Sequence, residues 1–287
     1  MRTVSVAHSP DADDIFMYYA IKFGWVTPKE TQFTNIADDI ETLNQATLKG
    51  EYDICAISFA LYPFVKDDYA LLRTAVSFGN GYGPKLIKQK GTKLKKNFKV
   101  ALSGEFTTNA LLFKIAYPNA RITYMNFLEI EGAVLNGDVD AGVLIHESIL
   151  TYDAKLEVER EMWDIWQELA GPDLPLPLGG MCLRRSIPLN RAIDYENTLI
   201  NAVKVANSNK KLLSDMLLER NLIRVDAKTL DTYLDLYAND DSIELSDLQY
   251  EALDKLYALG YEHGFYENLI KSKEFLIPQE YSELRSR

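Results

Sequence analysis

The chain has 287 residues, 31 basic and 42 acidic side chains, a formal charge of −11 and 47% hydrophobic content. That length buries a large core, in one big domain or in two lobes of ordinary size. The acid excess repels phosphate backbones, no cluster of Lys and Arg interleaves with aromatics, and no stretch approaches the roughly 18 apolar residues of a membrane span. Neither nucleic acid nor membrane is therefore an expected partner.

The opening, MRTVSVAHSPDADD, passes from a strand pattern straight into carboxylates, without the apolar centre of a secretory signal. Cys55 and Cys182 lie far apart in apolar segments, so both are expected as buried structural thiols in a reducing cytoplasm.

Short β-like runs alternate with helical patterns over the first two thirds of the chain, as in α/β layers with parallel strands. TVSVA leads through a loop to the apolar run IFMYYAIKFGW; QFTNI, the helical DDIETLNQATLKG and the strand YDICAI follow. The basic run Lys85–Lys99 (KLIKQKGTKLKKNFK) reads as a solvated face or connector. A second series comprises KVAL (Lys99–Leu102), helix TTNALLFKIA, strand RITYM, helix FLEIEGAVLNG and strand AGVLI, ending at Ile145. GPDLPLPLGG (Gly171–Gly180) reads as a loop that redirects the chain, with a tight turn at Leu176–Gly180. After MCLRR, a mainly helical tail runs from about Leu189 to the end, with apolar residues at three and four spacing and no visible chemistry.

The expected architecture is two α/β lobes around a central cleft with a helical C-terminal tail: residues 1–90 and 186–287 in lobe 1, and 91–185 in lobe 2. Such a fold places its ligand between the lobes, at carboxyl ends of strands and amino ends of helices.

Four segments carry candidate chemistry. Ser9-Pro10-Asp11-Ala12-Asp13-Asp14 precedes a helix whose first N–H groups can bind an anion or be capped by Ser9 or Asp11. Its three acids also fit a magnesium site, but Asp is common in first helical turns, and capping is the commoner use. Ser58 ends the strand YDICAIS, where its hydroxyl can face the cleft or serve as a cap. Ser103-Gly104-Glu105-Phe106-Thr107-Thr108-Asn109 repeats that design, with Thr107 and Thr108 suited to a carboxylate or polyol, or to capping. His146 follows a strand at the edge where an α/β lobe presents functional groups, and histidine is the side chain best suited to take a proton near neutral pH. Only three histidines occur. His8 reads as packed or superficial, His263 as a surface or helix-end residue, and Glu147 as a partner for His146 or a solvated acid. No G-x-S-x-G, Gly-rich phosphate loop, HExxH or Cys/His metal cluster is present.

SPDADDIFMYYA, DIETLNQATLKGEYDICAISFA, GEFTTNALL, DAGVLIHES and PLPLGGMCLRR together resemble, in order and spacing over roughly residues 1–190, the 1,4-dihydroxy-6-naphthoate synthase family of the futalosine route to menaquinone. The resemblance implies a type II periplasmic-binding-protein fold used as a cytoplasmic enzyme. It implies a small carboxylate substrate, cyclic dehypoxanthinylfutalosine, in the cleft, converted to 1,4-dihydroxy-6-naphthoate with loss of a three-carbon fragment and with no metal or redox cofactor. His146 falls on the family's histidine and is implied as general base. Ser58, Thr107, Thr108 and Asn44 fall on positions resembling its substrate contacts, and Ser9 and Pro10 on its opening loop. Where the family reads S-x-C-P-N-D-T, this chain has HSPDADD; where a lysine often precedes the serine by two residues, it has Ala56. The alternatives are chorismate dehydratase, a non-catalytic small-acid-binding protein, and a magnesium phosphotransferase using Asp11 and Asp13.

Overall fold

The computed structural model of the chain describes residues 2–279; the last part of the expected helical tail lies outside them. The first sheet is built from β1 (Arg2–His8), β2 (Thr31–Ala37), β3 (Ile54–Ser58), β4 (Tyr69–Leu71) and β5 (Ser77–Gly79), all from the first 79 residues. The second takes β6 (Lys85–Gln89), β7 (Lys99–Leu102), β8 (Arg121–Tyr124), β9 (Ala141–Leu144) and β10 (Leu156–Glu161). Strand β11 (Leu176–Arg184) returns to the first sheet, giving the orders β2-β1-β3-β11-β4, with β5 also on β11, and β10-β6-β9-β7-β8. Thus the chain crosses between sheets twice, the connectivity of two lobes joined by two strands of chain.

Of the parallel strands, β3, β7 and β9 are buried nearly throughout, as strands covered on both faces are, whereas β2 and β8 end their sheets and are largely half-exposed or exposed. Helices α1 (Ala12–Lys22), α2 (Ile40–Leu48) and α3 (Tyr62–Val65) serve the first lobe, and α4 (Thr108–Ala116), α5 (Phe127–Asn136) and α6 (Met162–Ala170) the second. Their ends follow local chemistry: Asp39 accepts from the N–H groups of Glu41 and Thr42 to start α2, and Gly137, at φ 77°, stops α5. The tail forms α7 (Leu189–Ser208), α8 (Lys210–Glu219), α9 (Ala227–Tyr237) and α10 (Asp247–Glu262), of which α7, α8 and α9 pack on α1.

Three expectations are corrected. The basic run is a connector only in part: it begins in β6, where Lys88 meets Glu159 at 2.6 Å and Glu157 at 3.5 Å on β10, and its mostly exposed remainder joins β6 to β7. Leu176–Gly180 is not a tight turn but the first half of β11, and its glycines serve close approach; a Cβ on Gly180 would stand 2.7 Å from the Phe59 ring. The sheets also exchange the chain earlier than boundaries at 91 and 185 imply, since β6 belongs to the second sheet and β11 to the first.

Cys55 and Cys182, distant in sequence, are register partners across β3 and β11, both buried and free. Among the described residues, no helix is long and apolar enough to cross a membrane.

Candidate active site

The carboxyl ends of β1, β3, β7 and β9 converge on one cavity between the sheets, lined by Ser9, Ser58, Thr107, Thr108 and His146 among others. This is the edge where parallel strands deliver functional groups. Of the expected substrate contacts, Asn44 and Pro10 do not line it.

His146 opens a short 3-10 turn immediately after β9 with φ 54°, a left-handed conformation that a non-glycine residue rarely adopts. Ala75, on the same cavity wall, also has φ 54°. Such strain persists only where surrounding structure over-determines it, and it clusters at functional sites. The ring of His146 meets Phe127 edge-on, with centroids 4.9 Å apart. Its Nδ1 contacts Asp11 Oδ2 from the first lobe, while its Nε2 is buried with no partner.

Burial alone disfavours a charged imidazole, but the Asp11 carboxylate, aided by Glu147 and Asp13, outweighs it and pushes His146 up to about 9. The same pairing reverses the effect of burial on Asp11, which lies below the usual carboxylate range.

The expected cap of α1 is overturned. Asp11 occupies the N-cap position but makes no side-chain cap bond, and the Ser9 hydroxyl has no partner. The N–H of Ala12 instead donates to Glu147 Oε1 at 3.0 Å, so the second lobe caps the helix of the first. That frees Asp11 for the imidazole. Glu147 also faces Arg224 at 3.7 Å, and Arg224 donates to the Pro10 carbonyl at 3.4 Å.

Asp13 and Asp14 complete an acidic cluster; with Asp11, each offers an oxygen within 4.8 Å of the others. Asp14 accepts from the Ser9 N–H at 2.8 Å, and Asp13 from Ser77 Oγ at 2.7 Å. Burial, then the Asp11 charge, pushes Asp13 up to about 8 and Asp14 well above the usual range. The cluster therefore stores protons at neutral pH, and the cavity is less negative than its acid count implies.

The hydroxyls have distinct roles. Ser58 Oγ accepts from Asn44 Nδ2 at 3.2 Å, so its own proton remains free to be donated. Thr107 Oγ1 accepts from Ala110 N–H at 3.1 Å and donates to the Gly104 carbonyl at 3.1 Å, which makes it the cap of α4. Thr108 Oγ1 accepts from Ala60 N–H at 3.3 Å and donates to the Leu178 carbonyl at 3.0 Å, both in the first lobe. Neither threonine hydroxyl keeps a free proton. Together with Asp11–His146 and Ala12–Glu147, Thr108 fastens the lobes in a closed arrangement.

His8 is buried, bonded at Nδ1 to the Ser9 carbonyl at 2.7 Å and at Nε2 to Asn35, and burial lowers its proton affinity. His263 lies at the exposed end of α10. Missing from the sequence reading are Tyr233 and Tyr237, four apart on α9, which line the cavity from the tail judged to carry no chemistry. An aromatic pair at that spacing looks the same as core packing.

Residues 4–262 match a family model described as menaquinone biosynthesis. The chain is 30% identical over 258 residues to a 1,4-dihydroxy-6-naphthoate synthase of Streptomyces coelicolor, covering 88% of this chain and 90% of that one. It is 32% identical over 199 residues to the enzyme of the same name from Thermus thermophilus, covering 68% and 71%. A solved structure from Archaeoglobus fulgidus superposes with TM-score 0.85 at 32% identity, covering 92% of this chain and 98% of that one. The periplasmic aliphatic sulphonate binding protein SsuA of Escherichia coli superposes with TM-score 0.67 at 12% identity, covering 96% and 98%, and shares the fold. Two α/β lobes of periplasmic-binding-protein type, closed on a histidine-bearing cavity, thus coincide with a match across most of the chain, and the protein belongs to the menaquinone biosynthesis family.

Proposed function

We propose that this protein is a 1,4-dihydroxy-6-naphthoate synthase, a cytoplasmic lyase that converts cyclic dehypoxanthinylfutalosine to 1,4-dihydroxy-6-naphthoate and a three-carbon fragment, with His146 as general base. The observation that carries this reading is the His146 ring, held at Nδ1 by Asp11 with an unpartnered Nε2 in the cavity wall. A base oriented by a carboxylate on its far nitrogen takes a proton from a bound molecule once Nε2 has lost its own, and the rise to about 9 moves that loss to alkaline pH. The names of the two relatives support the product. Two free thiols facing each other in register suit a reducing compartment.

In this mechanism Nε2 takes a proton from a hydroxyl of the departing fragment. The oxygen pair becomes the fragment's carbonyl, the carbon–carbon bond breaks, and its electrons pass into the ring system and onto a ketone oxygen. The imidazolium returns the proton to that oxygen, and aromatisation drives the step. No electron leaves the system, so no redox partner is required.

The substrate carboxylate is assigned to the amino end of α4, where the Thr108 and Asn109 N–H groups precede the first helical bonds. Ser58 donates to a substrate hydroxyl, and Tyr233 and Tyr237 wall the bicyclic ring. The closed lobes exclude water from the reacting bonds, and admission of substrate requires the bonds from Thr108 and Glu147 to part.

The test is incubation with cyclic dehypoxanthinylfutalosine, following the naphthoate absorbance, beside chorismate as the substrate of the sister enzyme. Naphthoate formation by the intact protein, cut by about 100- to 10,000-fold in His146→Ala with binding retained, is expected. Unchanged turnover in that variant removes His146 from the role, and conversion of chorismate alone removes the assignment.

A further inference from the structure

The Asp13 carboxyl is a buried titratable group in the cavity wall without a part in the proposed reaction. It lines the cavity two residues after Asp11, in the first turn of α1, on the wall that also carries Ser77 and His146. Ser77 Oγ donates to Oδ2 at 2.7 Å, which fixes that oxygen as an acceptor, whereas Oδ1 is buried with no partner. A carboxyl in this position has two states. As an anion it leaves a buried charge with an unsatisfied oxygen beside Asp11 and Asp14; as an acid it carries its proton on Oδ1, the oxygen without a partner.

We infer that Asp13 works as a neutral carboxylic acid whose Oδ1–H donates a hydrogen bond to the substrate oxygen on which negative charge develops. Its surroundings favour that state. Asp11 and Asp14 face it from its own loop and helix, Glu147 and His146 from the turn after β9, and Tyr82, Tyr233 and Tyr237 from neighbouring segments. Of these, His146 alone offers a positive charge, and that charge is matched first by Asp11. Burial and the Asp11 charge hold Asp13 up at about 8.

The cavity then carries a base and an uncharged donor in adjacent positions, pushed apart in role by their neighbours. The donor keeps its proton throughout; it is pre-aimed at the ketone oxygen before the electrons arrive, which is the arrangement that lowers a barrier without reorganisation.

The inference rests on the proposed reaction, and three variants separate the two. Wild-type protein that forms no naphthoate from the cyclic substrate overturns the reaction itself. Given active wild type, Asp13→Ala is expected to lose about 100- to 1,000-fold in kcat. Asp13→Asn, which keeps an NH donor of the same shape, is expected to retain activity within about tenfold. The pH profile supplies the second readout. Only the form with neutral His146 and protonated Asp13 is active; because His146 at about 9 lies above Asp13 at about 8, that form is a minority whose population peaks between the two values, so wild-type kcat/KM should be a bell with apparent limbs at about 8 and about 9 that belong to the coupled pair. In Asp13→Asn the falling limb should vanish while the rising limb remains. An Asp13→Ala variant within threefold of wild type, an Asp13→Asn variant as impaired as Asp13→Ala, or a falling limb that survives in Asp13→Asn each overturns the inference. Thermal melting of both variants establishes that they fold.

Discussion

Asn44 grips Ser58 twice: its Oδ1 accepts the Ser58 backbone N–H at 3.0 Å, and its Nδ2 donates to the Ser58 Oγ at 3.2 Å. The first bond fixes the orientation of the amide, because a backbone N–H needs an acceptor, and the second leaves the serine proton to point elsewhere. Asn44 itself is fully buried and absent from the cavity wall. It is thus a positioning residue that acts through Ser58. Asn44→Ala should lower turnover by about the same factor as Ser58→Ala, and the double variant should be little worse than either, the signature of two side chains acting as one. It should also cost about 1 to 3 kcal/mol of stability, from the buried N–H left unpaired. Simple multiplication of the two kinetic losses in the double variant would show that Asn44 meets the substrate independently.

Asp11 holds His146 at Nδ1 and is the main reason the imidazole keeps its proton to about 9 despite burial. Asp11→Asn removes that charge, so the affinity of the ring for its proton falls and the rising limb of the pH profile should move to lower pH. At the same time the ring loses its orientation, and turnover at the optimum should fall by about 10- to 100-fold. A steady-state profile between pH 6 and 10 measures both effects. A limb that stays in place, or moves upward, contradicts the pairing.

The sequence exposed the parallel core and the strand ends because both rest on local signals. KVAL was bounded to the residue at β7, and AGVLI ends one residue before His146, because apolar runs between turn residues mark strands buried on both faces. The antiparallel additions were hidden. β6 lies inside a lysine-rich run, and its positive charge is answered by β10, about 70 residues away in sequence, which no local pattern reveals. Proline and two glycines at the start of β11 look like a turn until Phe59 and Ile57 are seen pressing on them.

The site was half legible for the same reason. Strand ends place Ser58, Ser103 and His146 from chain order alone. The partner of His146 could not be read, since Asp11 stands at a helix start where capping is the usual use of an acid. Only the closed lobes bring Glu147 to the Ala12 N–H and release Asp11 from that duty. Thr107 and Thr108 were equally ambiguous between capping and binding, and the geometry divides them: one caps α4, the other bridges the lobes.

Outside the cavity wall, Arg73 Nη1 meets Glu196 Oε2 at 2.6 Å, and the Arg73 backbone N–H donates to Glu196 Oε1 at 2.9 Å. The guanidinium also donates to the Ile277 carbonyl, so it ties the first sheet's edge to α7 and to the chain after α10. Both side chains are buried, and truncating one strands the other in a medium of low dielectric. Arg73→Ala should cost about 3 to 5 kcal/mol in denaturant unfolding. Because neither residue touches the cavity, turnover at a temperature where the variant is folded should be unchanged within about twofold. A stability loss under 1 kcal/mol would mean that the pair is hydrated in solution.

Proton storage in the cavity also has a thermodynamic consequence. His146 has an ordinary value of 6.5 and is raised to about 9 in the folded chain; Asp13 has an ordinary value of 3.8 and is raised to about 8. Between the unfolded and folded values the folded protein binds more protons than the unfolded chain, so stability falls as pH rises. For His146 the contribution is complete below about 6.5 and lost as pH climbs through about 9; for Asp13 the decline extends from about 3.8 up to about 8. The two windows overlap from 6.5 to 8, where the decline should be steepest. Asp11, lowered rather than raised, acts in the opposite sense only in acid and leaves this window untouched. Scanning calorimetry from pH 6 to 9.5 should therefore give a falling Tm. Asp13→Asn, which cannot titrate, should make the decline below 8 shallower, while the part from His146 and from Asp14, which is also raised, stays in place. A Tm that is level or rising across this range would mean that neither group holds its proton in the folded protein, and with it the orientation of the base by Asp11 and the neutral state of Asp13 would both fall.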